Sequence, residues 1–136
     1  MSHRVLIVED HKDTLRLYEM ALSLDGFAVE TAGCVSEALR LQPGAFDAVV
    51  TDLAMPEMSG LDLVDRLRRA GASMPIVVVT GQSRLEPVDG ACALFLKPCE
   101  PGFLADQVRD LIARCPHDCG RCAVAHPAAR PPGAFN

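Results

Sequence analysis

Short apolar runs alternate with amphipathic stretches along most of this chain. Val5 to Val8, Phe27 to Thr31, Ala48 to Asp52, Ile76 to Val79 and Leu94 to Leu96 are β-branched or leucine-rich and short, the mark of strands buried on both faces. Between them lie helical patterns. Asp13 to Leu24 carries Leu15, Tyr18 and Leu22 at helical spacing, with Met20 and Ala21 beside them, and Asp25-Gly26 ends it. Ser36 to Leu41 is a second helix, with Ser36 as its expected cap and Pro43-Gly44 as its stop. Ser59-Gly60-Leu61-Asp62 has the form of a capping box. The helix it opens is expected to turn Leu61, Leu63, Val64 and Leu67 to a sheet and Asp65, Arg66, Arg68 and Arg69 to water. A last helix is expected from Pro101 to Ala113. Strand-helix alternation of this kind predicts an α/β fold, a doubly wound five-stranded parallel sheet with helices on both faces.

Two stretches break the rhythm. Only 16 residues separate Thr80 from Lys97, and Gly81, Pro87 and Gly90 fall among them, so the fourth helix is expected to be shortened. From Cys115 the periodicity ends in a Cys/His-bearing and then Pro/Ala-rich tail. The expected organisation is therefore a domain over residues 1–114 and a flexible tail over 115–136.

Composition narrows the function classes. The 136 residues leave room for one domain. A net charge of −5 with no Lys/Arg cluster argues against direct binding to nucleic acid. The apolar run at Val5 is too short for a signal core or a membrane span, so no membrane contact and a cytoplasmic location are expected. In a reducing compartment the six cysteines read as thiols or metal ligands, with Cys34, Cys92 and Cys99 acting as small core or near-core residues.

The chemistry gathers at strand ends. The first strand runs into Glu9-Asp10, the third ends in Asp52, the fourth in Thr80, and the fifth in Lys97-Pro98. In open parallel sheets ligands bind just outside the carboxyl ends of the strands. Three acids there offer hard oxygen ligands for magnesium, and a lysine and a hydroxyl complete a cradle for a phosphoryl group. Any one of these residues alone would read more simply as a turn former, a helix cap or a plain strand residue; the ordered set decides. With Met55-Pro56 and Ser59-Gly60 in the loop after Asp52, the set resembles the receiver domain of two-component response regulators, over roughly the first 115 residues.

That resemblance implies a flavodoxin-like receiver, here expected as a stand-alone module and a signalling domain rather than an enzyme. Asp52 would be the phosphoacceptor, supplied by a histidine kinase or a phosphotransfer protein, and the output would be binding of a downstream protein. Asp10 and Asp52 would ligate Mg2+ (with Mn2+ as the alternative ion), Glu9 through water, and the backbone carbonyl of Ala54 would add an oxygen. Lys97 and Thr80 would contact the phosphoryl group, and Lys97-Pro98 would be a cis peptide. Two departures bear on mechanism. Leu94 stands where the family usually carries an aromatic ring that moves on activation, and Ala54 and Gln82 occupy positions that in the family affect hydrolysis of the acyl phosphate.

Other readings remain. A metal-dependent phosphatase with an aspartyl nucleophile would need Asp-x-Asp, and Ala54 fills its second position. A docking domain independent of phosphorylation is compatible with Leu94. In the tail, Cys115, His117, Cys119, Cys122 and His126 could hold zinc as a Cys3His site, and the cysteine spacing also resembles an iron-sulfur loop, against the simpler alternative of an unliganded extension.

Overall fold

The computed structural model describes residues 2–55, 57–81 and 88–114. The elements run β1 (Arg4–Val8), α1 (Lys12–Leu24), β2 (Ala28–Ala32), α2 (Val35–Arg40), a 3-10 turn (Pro43–Ala45), β3 (Ala48–Asp52), α3 (Gly60–Arg69), β4 (Ile76–Thr80), β5 (Ala93–Leu96) and α4 (Pro101–Arg114). All strand pairs are parallel, in the order β2-β1-β3-β4-β5. The doubly wound sheet expected from the apolar runs is thus the sheet that forms. Successive residues of a strand face opposite sides, and the core divides accordingly. Val5, Ile7, Val50, Val77 and Val79 pack under α1 and α4 through Tyr18, Leu22, Leu104 and Val108. On the other side Leu6, Val8, Val49, Val78 and Leu94 pack under α2 and α3 through Val35, Ala38, Leu63 and Val64. The central strands β3 and β4 are buried along their whole length, which is why their sequences are apolar without alternation.

The helix ends follow local chemistry, with some departures from expectation. At α3 the Ser59 hydroxyl accepts from the Leu61 N–H (3.1 Å) and the Asp62 carboxylate accepts from the Ser59 N–H (3.2 Å), so the capping box forms. Leu61, however, is 49% exposed, because it shares a helix face with Asp65, four residues on. Arg68 also departs, lying half-buried rather than in water. It is one turn beyond Val64, and its guanidinium donates to the carbonyls of Gly90 and Ala72, each at 2.9 Å. Helix α2 is capped at Cys34 rather than Ser36, and the Glu37 carboxylate takes up the Gly33 N–H at that end. Met20 points out from α1, as do Leu17 and Leu24. At α4 the Glu100 carboxylate accepts from the Gly102 and Phe103 N–H groups, at 3.1 and 2.7 Å.

Among the described residues no helix lies between β4 and β5. Val88 and Ala91 pack into the core beside Leu94. Gly90, at φ +93°, lies so close to α3 that a Cβ there would sit 2.9 Å from Arg68 Cγ. Cys34 and Cys99 are free thiols, as expected. Cys92 lies in the core as expected, but it is disulfide-bonded rather than a free thiol. Compartment chemistry names no pair of sulfurs; a bond needs only two of them within bonding reach.

Gly60 ties α3 to the end of β3. Its N–H donates to the Leu53 carbonyl at 2.9 Å, and a Cβ at position 60 would stand 2.0 Å from the Asp52 carbonyl oxygen. Gly60→Ala should therefore destabilise the protein by the about 1–3 kcal/mol typical of overpacking, although alanine is the better helix former. Urea unfolding of the two proteins measures this, and equal midpoints would show that the loop yields freely.

Candidate functional site

The strand order reverses direction at β1 and β3, and the crevice between their carboxyl ends is where a doubly wound sheet binds its ligand. Glu9 and Asp10 follow β1 and Asp52 ends β3, so the acids expected from the sequence meet at that crevice. One carboxylate oxygen from each of Glu9, Asp10 and Asp52 lies within 4.8 Å of the others. Asp10 is exposed, whereas Glu9 and Asp52 are only 2% and 6% exposed.

Two buried carboxylates side by side need a counter-charge, and Lys97 supplies it. Its ammonium donates to Glu9 Oε1 at 2.8 Å and to Asp52 Oδ2 at 3.1 Å. The lysine reaches inward from a turn with a cis Lys97-Pro98 peptide, as expected, and the Lys97 N–H donates to the Thr80 carbonyl at 2.8 Å, fastening this turn to the end of β4. Thr80 is 1% exposed and stands one residue beyond Val79, the partner of Asp52 across the β3–β4 ladder. Ala54 is exposed, two residues after Asp52, and Leu94 is buried in the core cluster that includes Leu63 and Val64 of α3. Gln82 and the tail residues Cys115, His117, Cys119, Cys122 and His126 lie outside the described residues.

Backbone donors complete the site, and no residue pattern announced them. The Leu53 N–H donates to Asp52 Oδ1 at 2.7 Å, and the His11 N–H donates to Glu9 Oε2 at 3.1 Å. His11 itself is the N-cap of α1, its Nδ1 accepting from the Thr14 N–H. A glycine directly after a serine cap, where alanine would favour the helix, is the one sequence signal of the close approach at Gly60.

Burial raises the carboxyl of Glu9 above its ordinary range, with the Asp52 charge adding to the effect and Lys97 and the His11 N–H opposing it. For Lys97, burial alone would lower the ammonium, but its hydrogen bonds to Glu9 and Asp52 outweigh that and raise it. Cys99, buried beneath the same turn, is pushed up to about 12, first by desolvation and then by Glu100, and stays a thiol at neutral pH. The donor set of three carboxylates suits a hard divalent cation such as magnesium.

The family model for the response regulator receiver domain matches residues 5–109. The chain belongs to that family. This receiver domain is 30% identical over 119 residues to the response regulator SaeR of Staphylococcus epidermidis, covering 84% of this chain and 52% of SaeR. It is 35% identical over 112 residues to the alginate biosynthesis transcriptional regulatory protein AlgB of Pseudomonas putida, covering 78% of this chain and 24% of AlgB. The chain thus spans about half or less of these curated relatives. Among solved structures it is similar to a CheY-like receiver domain from Methanospirillum hungatei, with a TM-score of 0.77 at 26% identity over 85% of this chain and 98% of the other. It is also similar to TrrA of Thermotoga maritima, solved in complex with Mg(2+)-BeF, with a TM-score of 0.72 at 28% identity over 82% of this chain and 99% of that one. As a receiver domain of the two-component kind, the chain is a phosphoacceptor signalling domain. No helix among the described residues is long and apolar enough to cross a membrane.

The raised Lys97 carries a signed dependence on pH. A base whose folded value is raised contributes stability in full below its unfolded value and loses it as pH rises through the folded one. Wild type should therefore lose stability above the ordinary lysine range, and Lys97→Met should show a shallower loss there. Denaturant unfolding from pH 9 to pH 12 tests this, and parallel curves for the two proteins would remove Lys97 as the source.

Proposed function

We propose that Asp52 is the phosphoacceptor of this domain, and that the donor is a phosphohistidine on a histidine kinase or a phosphotransfer protein. The observation that carries the reading is the convergence of Glu9, Asp10 and Asp52 within 4.8 Å, with Lys97 bonded to the two buried acids. Asp52 Oδ1 is held by the Leu53 N–H, so Oδ2, on the Lys97 side, is the attacking oxygen. Its lone pair forms the new O–P bond while the P–N bond breaks and its electron pair returns to the imidazole. Lys97 follows the charge onto the phosphoryl oxygens, and the Thr80 hydroxyl at the next strand end donates to one of them. Asp10, Asp52, Glu9 and the Ala54 carbonyl would hold Mg2+, which would supply positive charge to offset repulsion between the carboxylate and the phosphoryl donor.

Output runs through a protein partner that binds the phosphorylated form, in the cytoplasm where its donor kinase domain works. With Leu94 in place of a ring and buried in the core, that output does not depend on an aromatic side chain moving inward.

Incubation with acetyl phosphate and magnesium, followed by intact mass and peptide mapping, tests the assignment. One phosphoryl group should appear on Asp52 and none in Asp52→Asn. Asp10→Asn should weaken the response to magnesium by at least the roughly 10–100-fold that losing an outer-shell group costs. Label elsewhere, or full labelling without metal, would sink the assignment.

A second measurement addresses the output. With beryllofluoride as the phosphoryl mimic, amide shifts at Leu94 and at residues 88–92 should change less than those around Asp52 and Thr80, because Leu94 is already seated beneath α3 and Arg68 pins the segment before it. Large concerted changes across that segment would contradict this.

A further inference from the structure

We propose that Thr51 is a positioning residue for phosphoryl transfer, its hydroxyl acting through the Asp52–Leu53 peptide to hold the acceptor carboxylate in its reactive orientation. The inference rests on Asp52 being the acceptor, as argued above.

Thr51 is fully buried in β3, on the side of the sheet where Val49 and Leu53 pack beneath α3. A valine would satisfy the shape of such a position, and a buried hydroxyl is costly unless it is bonded. Here it donates to the Asp52 carbonyl oxygen at 2.8 Å. The other end of that same peptide unit is the Leu53 N–H, which donates to Asp52 Oδ1 at 2.7 Å. A continuous chain therefore runs from hydroxyl to carbonyl, across the amide, and from N–H to carboxylate.

Two consequences follow from amide chemistry. The peptide is planar, so fixing its oxygen fixes the direction of its N–H. Donation into a carbonyl also draws charge across the amide and makes the N–H a stronger donor, as in other chained hydrogen bonds. Gly60 confines the peptide oxygen from another side, since a Cβ there would lie 2.0 Å from it. With Oδ1 anchored in this way, Oδ2 is presented to Lys97.

The test compares Thr51→Val, which keeps the branched shape, with Thr51→Ser, which keeps the hydroxyl. Both are made in the full chain and phosphorylated with acetyl phosphate and magnesium, with Asp52→Asn alongside. Thr51→Val should lower the maximal rate about tenfold, with the half-saturating acetyl phosphate concentration unchanged, and Thr51→Ser should stay within about twofold of wild type. The Leu53 amide proton should move upfield in Thr51→Val and hold its place in Thr51→Ser, a signature independent of turnover. Should Thr51→Val not fold, Thr51→Ala set against Thr51→Ser gives the same comparison. A wild-type rate without the hydroxyl, or loss of rate with serine, would overturn the role of Thr51. Labelling of Asp52→Asn would instead overturn the acceptor itself, so the two failures are distinguishable.

Discussion

One ammonium holds two buried carboxylates together, and the rest of the domain is arranged to make that possible. Glu9 and Asp52 are carried by adjacent strands and nearly withdrawn from water, a placement that repulsion and desolvation both oppose. Lys97 offsets the cost by reaching in from the far edge of the sheet, where its own N–H is fastened to the Thr80 carbonyl. The remaining carboxylate oxygens are met by main-chain donors at the starts of the loops after β1 and β3. The site is thus less a set of side chains on a surface than a charge arrangement that the sheet, two loop openings and one turn enforce jointly.

That arrangement explains why apolar strands end so abruptly in charge. A strand buried on both faces cannot carry an ionised group along its length, but at its carboxyl end it opens onto the crevice, where such a group finds partners. Val49-Val50-Thr51-Asp52 shows the transition within four residues, all of them buried. The helix lengths matter less. The stretch before β5 is fixed to α3 by the Arg68 guanidinium and by the missing side chain of Gly90, and β5 still reaches the register that delivers Lys97.

Much of this was legible in the amino-acid sequence, for physical reasons that differ by residue. Runs such as Ile76 to Val79 declare a buried parallel strand because they are short and β-branched, and the ends of those runs mark where polar chemistry can stand. The capping box at Ser59 is local and was readable for that reason. Arg68 was not, because a guanidinium lying over its own helix to reach Gly90 depends on a segment 22 residues away. Leu61 was misread for the opposite reason: hydrophobicity suggested the core, but the helical angle set it beside Asp65. The start of α2 falls at Cys34, two residues before Ser36, with no side-chain cap bond there and the Glu37 carboxylate taking up the Gly33 N–H instead, a choice that composition does not rank. The donors from Leu53 and His11 are main-chain groups and have no letter in a sequence.

The sheet also separates two apolar clusters that, among the described residues, have no member in common. Residues under α1 and α4 and residues under α2 and α3 touch the same strands from opposite sides, and distant sites without common partners contribute to stability almost additively. Substitutions in one cluster that leave the shared strands in place should therefore disturb the other's packing little. The peptide that orients Asp52 is braced from the α3 side, while Leu17, Met20 and Leu24 face outward on α1. A lineage can accordingly remodel the α1 surface over many substitutions while the geometry around Asp52 stays as it was.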